Sequence, residues 1–248
     1  MQASAFIFEA IAGLVLFSVG VRVLATASRG AGEPARLLGR YLLLAGISYA
    51  LYTVPLMFET GDLFTPITYA GRVIYNVSVY FALEFTRSVF RGRETWARGL
   101  VTALMLALIV GVGVSSMQGQ WDGYTVSSPW FWCEWLGYTL TPLWIGIEGL
   151  LAHASARRRA RLGLCDPIVA NRYLLWGLFG MIQVFASLVI VPMYAGYEEN
   201  QQFTLAGDAA LGGLEMLAAG VAWLAFCTPR YYGAWIARRA AAAAVKGG

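Results

Sequence analysis

The chain has 248 residues, 58% hydrophobic and only 13% charged, whereas a water-soluble domain carries roughly a quarter charged residues; with a mean hydropathy of +0.60, this composition predicts a membrane protein. Its 27.0 kDa, with no polar stretch longer than about 14 residues, predicts one transmembrane unit over 1-248 without a fused kinase, nucleotidase or DNA-binding output. Eighteen Lys and Arg against 14 Asp and Glu give a net charge of +4, but the basic residues come in bursts between apolar runs, which points to orientation in a bilayer and away from nucleic acid.

A hydrocarbon core about 30 Å thick needs roughly 20 apolar residues per helix. Runs of that length occur at Ala3 to Thr26, Leu37 to Phe58, Thr65 to Val89, Ala97 to Met117, Trp130 to Ala152, Ile168 to Tyr194 and Leu205 to Cys227. The expected fold is therefore all-α: a seven-transmembrane-helix bundle. The connections alternate in sign: Arg29 and Arg36; Glu59 and Asp62; Arg91, Arg93 and Arg98; Asp122; Arg157, Arg158, Arg159 and Arg161; Glu198 and Glu199; Arg230, Arg238 and Arg239. The positive-inside rule puts the N-terminus outside and the C-terminus in the cytoplasm, in the plasma (inner) membrane of a cell. No Lys or Arg precedes the first run and Glu9 interrupts it, so it reads as helix one and not as a cleaved signal peptide. Trp121, Tyr124, Trp130, Trp132 and Trp135 read as an aromatic belt at the outer headgroup level. Tyr231, Tyr232, Trp235 and Ile236 alternate with arginines after helix seven, as in a short amphipathic helix on the inner leaflet.

The missing residues exclude several chemistries. Cys133 falls at the outer end while Cys165 and Cys227 fall at the inner, reducing end, so no disulfide is expected. The one histidine, His153, cannot assemble a multi-histidine zinc site or a bis-histidine haem site. Lys246, the one lysine, lies in the tail, so retinal is excluded as a cofactor by the absence of an intramembrane lysine, and no other cofactor is expected. Asn76-Val77-Ser78 matches a glycosylation acceptor but falls inside helix three. With no metal constellation and no nucleophile paired to a base, enzymatic activity is not expected.

A three-helix pattern recurs. Helix one carries Phe6-Ile7-Phe8-Glu9 and closes on Ala27-Ser28-Arg29; helix five carries Phe131-Trp132-Cys133-Glu134 and closes on Ala154-Ser155-Ala156-Arg157. Helices two and six carry Arg40-Tyr41-Leu42-Leu43 and Arg172-Tyr173-Leu174-Leu175, and helices three and seven open with Ala70-Gly71-Arg72 and Ala206-Gly207-Asp208. The expected organisation is a 3+1+3 parallel pseudo-repeat: a three-helix unit over 1-92, a linker helix and outer loop over 93-128, a second unit over 129-229 and an interfacial tail over 230-248. This arrangement resembles the parallel triple-helix repeats of SWEET and PQ-loop carriers, without the Pro-Gln pair in helices one and five. The resemblance is architectural and carries over no residue roles.

An ionisable group at membrane depth costs about 2.5 to 3.5 kcal/mol on insertion scales, so each is a site hypothesis. Glu9, Arg72, Glu134 and Asp208 fall about 5 to 10 Å below the outer boundary by helical rise, and the expectation is that they form one layer of three acids and one base. That layer is either a buried clasp, with Arg72 forked onto carboxylates, or an outward-open proton or cation site. Glu215 lies two turns deeper than Asp208 on the same helical face, among small residues. Asn76, Gln183 and Ser187 extend the polar lining, and Glu148, Glu84 and Arg87 mark an inner path. A file of carboxylates across the bilayer is how coupled carriers are built. The functional expectation is a secondary carrier of a small solute, coupled to protons or selective for a cation. The alternatives are a ligand sensor signalling through a cytoplasmic protein partner, and a non-catalytic subunit of a membrane complex. Arg157, Arg158, Arg159 and Arg161 are expected to orient the chain and to meet anionic lipids.

Overall fold

The computed structural model describes residues 3–57, 63–118, 126–198 and 205–246. They form eight helices: α1 (Ala3–Thr26), α2 (Gly32–Met57), α3 (Phe64–Phe90), α4 (Thr95–Met117), α5 (Pro129–Arg161), α6 (Pro167–Glu198), α7 (Leu205–Phe226) and α8 (Arg230–Lys246). Phe58, Glu59, Asp62, Trp121, Asp122, Tyr124 and Glu199 lie outside the described residues, as does the side chain of Asp208. Among the described residues four segments are long and apolar enough to cross a membrane: Ile7–Gly30, Thr95–Met117, Pro167–Met193 and Ala209–Phe226. The protein is thus an α-helical, membrane-embedded chain. The other long helices, α2, α3 and α5, are less apolar because they carry charge: Arg36 and Arg40; Arg72, Glu84 and Arg87; and Glu134, Glu148 and the arginine run.

The end of α5 differs from the sequence expectation for a clear reason. α5 continues nine residues past Ala152, through Ala-Ser-Ala and the arginines to Arg161, because Ala and Arg are strong helix formers and hydropathy marks only the apolar part of a helix. Arg157, Arg158, Arg159 and Arg161 therefore belong to a helix end and not to a loop. The turn that follows has Gly163 at φ 71, a left-handed position that glycine occupies without strain, and Asp166 Oδ1 accepts the Ile168 N–H at 2.8 Å to start α6.

Each of α1 to α6 lies beside its successor, and α1 returns against α7, with α4 outside a direct α3–α5 contact. Where lipid solvates helices as well as other helices do, small residues and close packing hold them together. α1 and α2 meet through glycine: a Cβ at Gly46 would lie 2.6 Å from the Phe17 nitrogen and 2.7 Å from the Gly13 oxygen. α5 and α6 meet the same way, a Cβ at Gly149 falling 2.6 Å from the Gly177 nitrogen. Both pairs are joined by turns that use a positive-φ glycine, Gly30 (φ 110) in the first and Gly163 in the second. The core between α2, α3, α6 and α7 is an aromatic stack. Trp176 lies on Phe179 at 5.1 Å between ring centres, with Tyr41, Phe85 and Phe226 edge-on at 6.2, 5.5 and 5.8 Å from Trp176.

Gly149→Ala is expected to destabilise the protein by about 1 to 3 kcal/mol, because the methyl meets backbone that cannot rotate away. Gly99→Ala, where a Cβ meets nothing within 4 Å, should leave the thermal midpoint in detergent unchanged or slightly raised.

Candidate functional site

The polar interior is built along the seam between α3 and α5. Arg72 and Glu134 are 3% and 1% exposed and form a forked pair, Nη2 to Oε1 at 2.5 Å and Nε to Oε2 at 3.2 Å. The same Nη2 donates to Ser115 Oγ of α4 at 2.8 Å, and Ser115 donates on to the Gly111 carbonyl at 2.7 Å. Gly111 is small by necessity, since a Cβ there would overlap the Glu134 side chain. One helical turn along both elements the Tyr138 hydroxyl donates to Asn76 Oδ1 at 2.5 Å, so α3 and α5 share two polar rungs four residues apart. Tyr75 packs on Tyr138 at 5.2 Å between ring centres.

A second set of ionisable groups belongs to α7, α2 and α1. Glu215 of α7 sits beside the Tyr49 hydroxyl of α2 and within Coulombic range of Glu9 of α1 and Tyr75 of α3. Its Oε2 is shielded from solvent and accepts no hydrogen bond. Tyr41, Tyr75, Tyr138, Thr141 and Gln183 line, among apolar neighbours, a cavity of ≈ 20 Å³, which is room for about one water with several polar partners.

The other end of the seam closes on Arg91. Its Nε donates to Glu148 Oε1 at 2.7 Å and its Nη1 to Glu94 Oε1 at 3.0 Å. Trp144 Nε1 also donates to Glu148, and Trp96 to Glu94. The carboxylates of Glu148 and Glu94 hold the Arg91 guanidinium above its ordinary pKa. Arg91 and then Trp96 hold the exposed Glu94 below the usual carboxylate range, so this contact persists above ordinary carboxylate pKa values and is lost as pH falls through the lowered one. Glu84 and Arg87 pair within α3 at 2.7 Å.

Of the expected layer, Arg72 and Glu134 meet in the clasp form; Glu9 interacts electrostatically with Glu215, and the side chain of Asp208 lies outside the described residues. Asn76 and Gln183 line the interior near the same depth, while Ser187 accepts from Thr139 at 3.1 Å. Glu148, Glu84 and Arg87, expected as an inner path, are each held in an ion pair. Sequence reasoning missed Tyr49, Tyr75, Tyr138, Ser115 and the inward role of Arg91. For Tyr75 and Tyr138 a signal exists, since each follows a buried charge, Arg72 or Glu134, by about one helical turn. Among the described residues no three His, Cys, Asp or Glu converge to hold a metal ion. The chain matches no protein-family model, no curated protein and no solved structure.

Removing one partner of a buried pair leaves an uncompensated charge. Arg72→Met is expected to cost about 3 to 5 kcal/mol, and Arg72→Met with Glu134→Gln distinctly less. Thermal unfolding of the two variants beside wild type checks this; equal losses would mean that the pair does not act as one.

Proposed function

We propose that the protein is a secondary carrier of a small solute, coupled to protons or selective for a cation, with Glu215, Glu9 and Tyr49 as the exchanging site and no enzymatic chemistry. The observation that carries this reading is the separation of charges. Arg72, the buried arginine at that depth, is forked onto Glu134, while Glu215 has Glu9 and two tyrosines about it. A buried carboxyl with a second acid in its electrostatic field is stabilised by an added proton or cation, and a group that gains and loses one is what a coupled carrier needs. The inner carboxylates support the same assignment by elimination, Glu148 and Glu84 being already paired.

The proposal includes all seven helices α1 to α7 as spans, N-terminus outside and C-terminus cytoplasmic, in the plasma membrane. α2, α3 and α5 lie among the four apolar segments, and α3 and α5 turn Arg72 and Glu134 onto one another. It also includes the 3+1+3 repeat, supported by glycine-sealed α1–α2 and α5–α6 pairs with positive-φ glycines in both connections. A second reading, a non-catalytic subunit whose charges clasp helices, draws on the closed Arg72–Glu134–Ser115 contact.

Topology is checked with the native thiols Cys133 and Cys165, both half-buried. In single-cysteine variants a membrane-impermeant maleimide is expected to label Cys133 on intact cells and Cys165 only after permeabilisation; the reverse pattern overturns the orientation. Function is checked by thermal shift against sugars, amino acids, amines and simple cations at several pH values, followed by proton flux in proteoliposomes with each hit. A ligand at a hundred times its dissociation constant stabilises by about 2.7 kcal/mol. Glu215→Gln is expected to remove both the shift and the flux while the protein stays folded. Wild-type flux in that variant would end the carrier reading in this form, and a loss of stability with no flux in either protein favours the subunit.

A further inference from the structure

The corner formed by the α5–α6 turn and α8 is strongly basic. Arg157, Arg158, Arg159 and Arg161 all stand exposed on the last turns of α5, and Leu162 and Leu164 immediately beyond are 73% and 74% exposed. α8 packs back against α6 and α5, fixed by an Asn171 Nδ2 hydrogen bond to the Tyr232 hydroxyl at 3.1 Å and by buried Ile236. That docking turns Tyr231, Trp235, Arg238 and Arg239 outward, and their spacing puts them on one stripe of the helix. The Arg239 guanidinium lies 4.3 Å over the Trp235 ring.

The acids at this end of the bundle do not neutralise it. Glu84 is bound by Arg87, and Glu94 and Glu148 by Arg91, while Asp166 caps α6. Glu33 stands on α2 beside Arg36 and Arg40. Among the described residues no ion pair engages Arg157, Arg158, Arg159, Arg161, Arg230, Arg238 or Arg239. Arginine forks match phosphate oxygens, and exposed leucine and tryptophan between them suit the boundary between headgroups and acyl chains. A soluble partner offers phosphate-like charge without that apolar layer.

We propose that this corner is a docking surface for anionic phospholipid headgroups of the inner leaflet. The α5 arginines and Arg238 and Arg239 bind the phosphates, and Leu162, Leu164, Tyr231 and Trp235 enter the upper acyl region. The leaflet assigned rests on the topology proposed above; the lipid preference itself does not.

The test uses the full chain in neutral detergent, titrated with phosphatidylglycerol or phosphatidylcholine in mixed micelles and read by native mass spectrometry and thermal midpoint. Phosphatidylglycerol is expected to bind about tenfold tighter or better, with a preference that falls as salt rises. Changing Arg157, Arg158, Arg159, Arg238 and Arg239 to Gln should abolish the preference while the midpoint in phosphatidylcholine stays unchanged; changing the same five to Lys should keep most of it. Equal binding of the two lipids, or a preference that survives in the Gln variant, overturns the proposal and leaves the surface to a protein partner. Equal competition by free glycerol phosphate also overturns it, in favour of a small-anion site. Because micelles have no sidedness, a lipid preference together with Cys165 labelled from outside would overturn the leaflet and the topology but keep the surface.

Discussion

A guanidinium that is 3% exposed has little water to turn to, and the arrangement around Arg72 follows from that constraint. Its donors are met by both oxygens of Glu134 and by Ser115, so three helices are bound to one charge. The pair contributes little net stability against an apolar alternative of the same size, since desolvating two ions offsets most of their attraction. What it supplies is register. With Arg72 opposite Glu134, the next turn must put Asn76 opposite Tyr138, and a one-residue slip of either helix would bury at least one of these polar groups without a partner.

Satisfying Arg72 on the α3–α5 side also decides what is left elsewhere. Arg72 is committed to Glu134, while Glu215 interacts with Tyr49, Tyr75 and Glu9. Tyr75 and Tyr138 have their rings in contact and both border the water-sized cavity. The Tyr138 hydroxyl donates to Asn76, and with Tyr75 it lines the polar part of the cavity wall. The other end of the seam offers no comparable freedom, because Glu148 already accepts from both Arg91 and Trp144.

The sequence reading located helices within a few residues because apolar length is read directly from composition, and it erred where length ceases to be the signal, as at the arginine-rich end of α5. It also picked out the buried charges, since each interrupts an apolar run. Their partners were harder to see. Counting residues gives depth along a helix, and by depth Glu9, Arg72 and Glu134 belong to one layer; which of them touch depends on how each helix is rotated about its axis, which is set by packing. The glycines that fix that rotation, Gly111 against Glu134 and Gly149 against Gly177, have no polarity to announce them. The tyrosines were overlooked for the opposite reason, as they count with the apolar aromatics in a hydropathy scan and act here through their hydroxyls.

The distribution of close contacts bears on how a carrier of this construction would move. α1–α2 and α5–α6 are sealed backbone to backbone at glycine, and such seams cannot slide without a clash, so each pair behaves as one body. α7, which carries Glu215, lies between α1 and α6 and is rich in alanine and glycine without a clasp of its own: Gly213 and Gly220 have open space where a Cβ would be. Shear is cheapest where neither interdigitated backbone nor a buried ion pair opposes it. On the carrier reading the displacement therefore falls at the edges of α7, which would carry Glu215 past Glu9 and Tyr49 while the Arg72 clasp holds α3, α4 and α5 fixed.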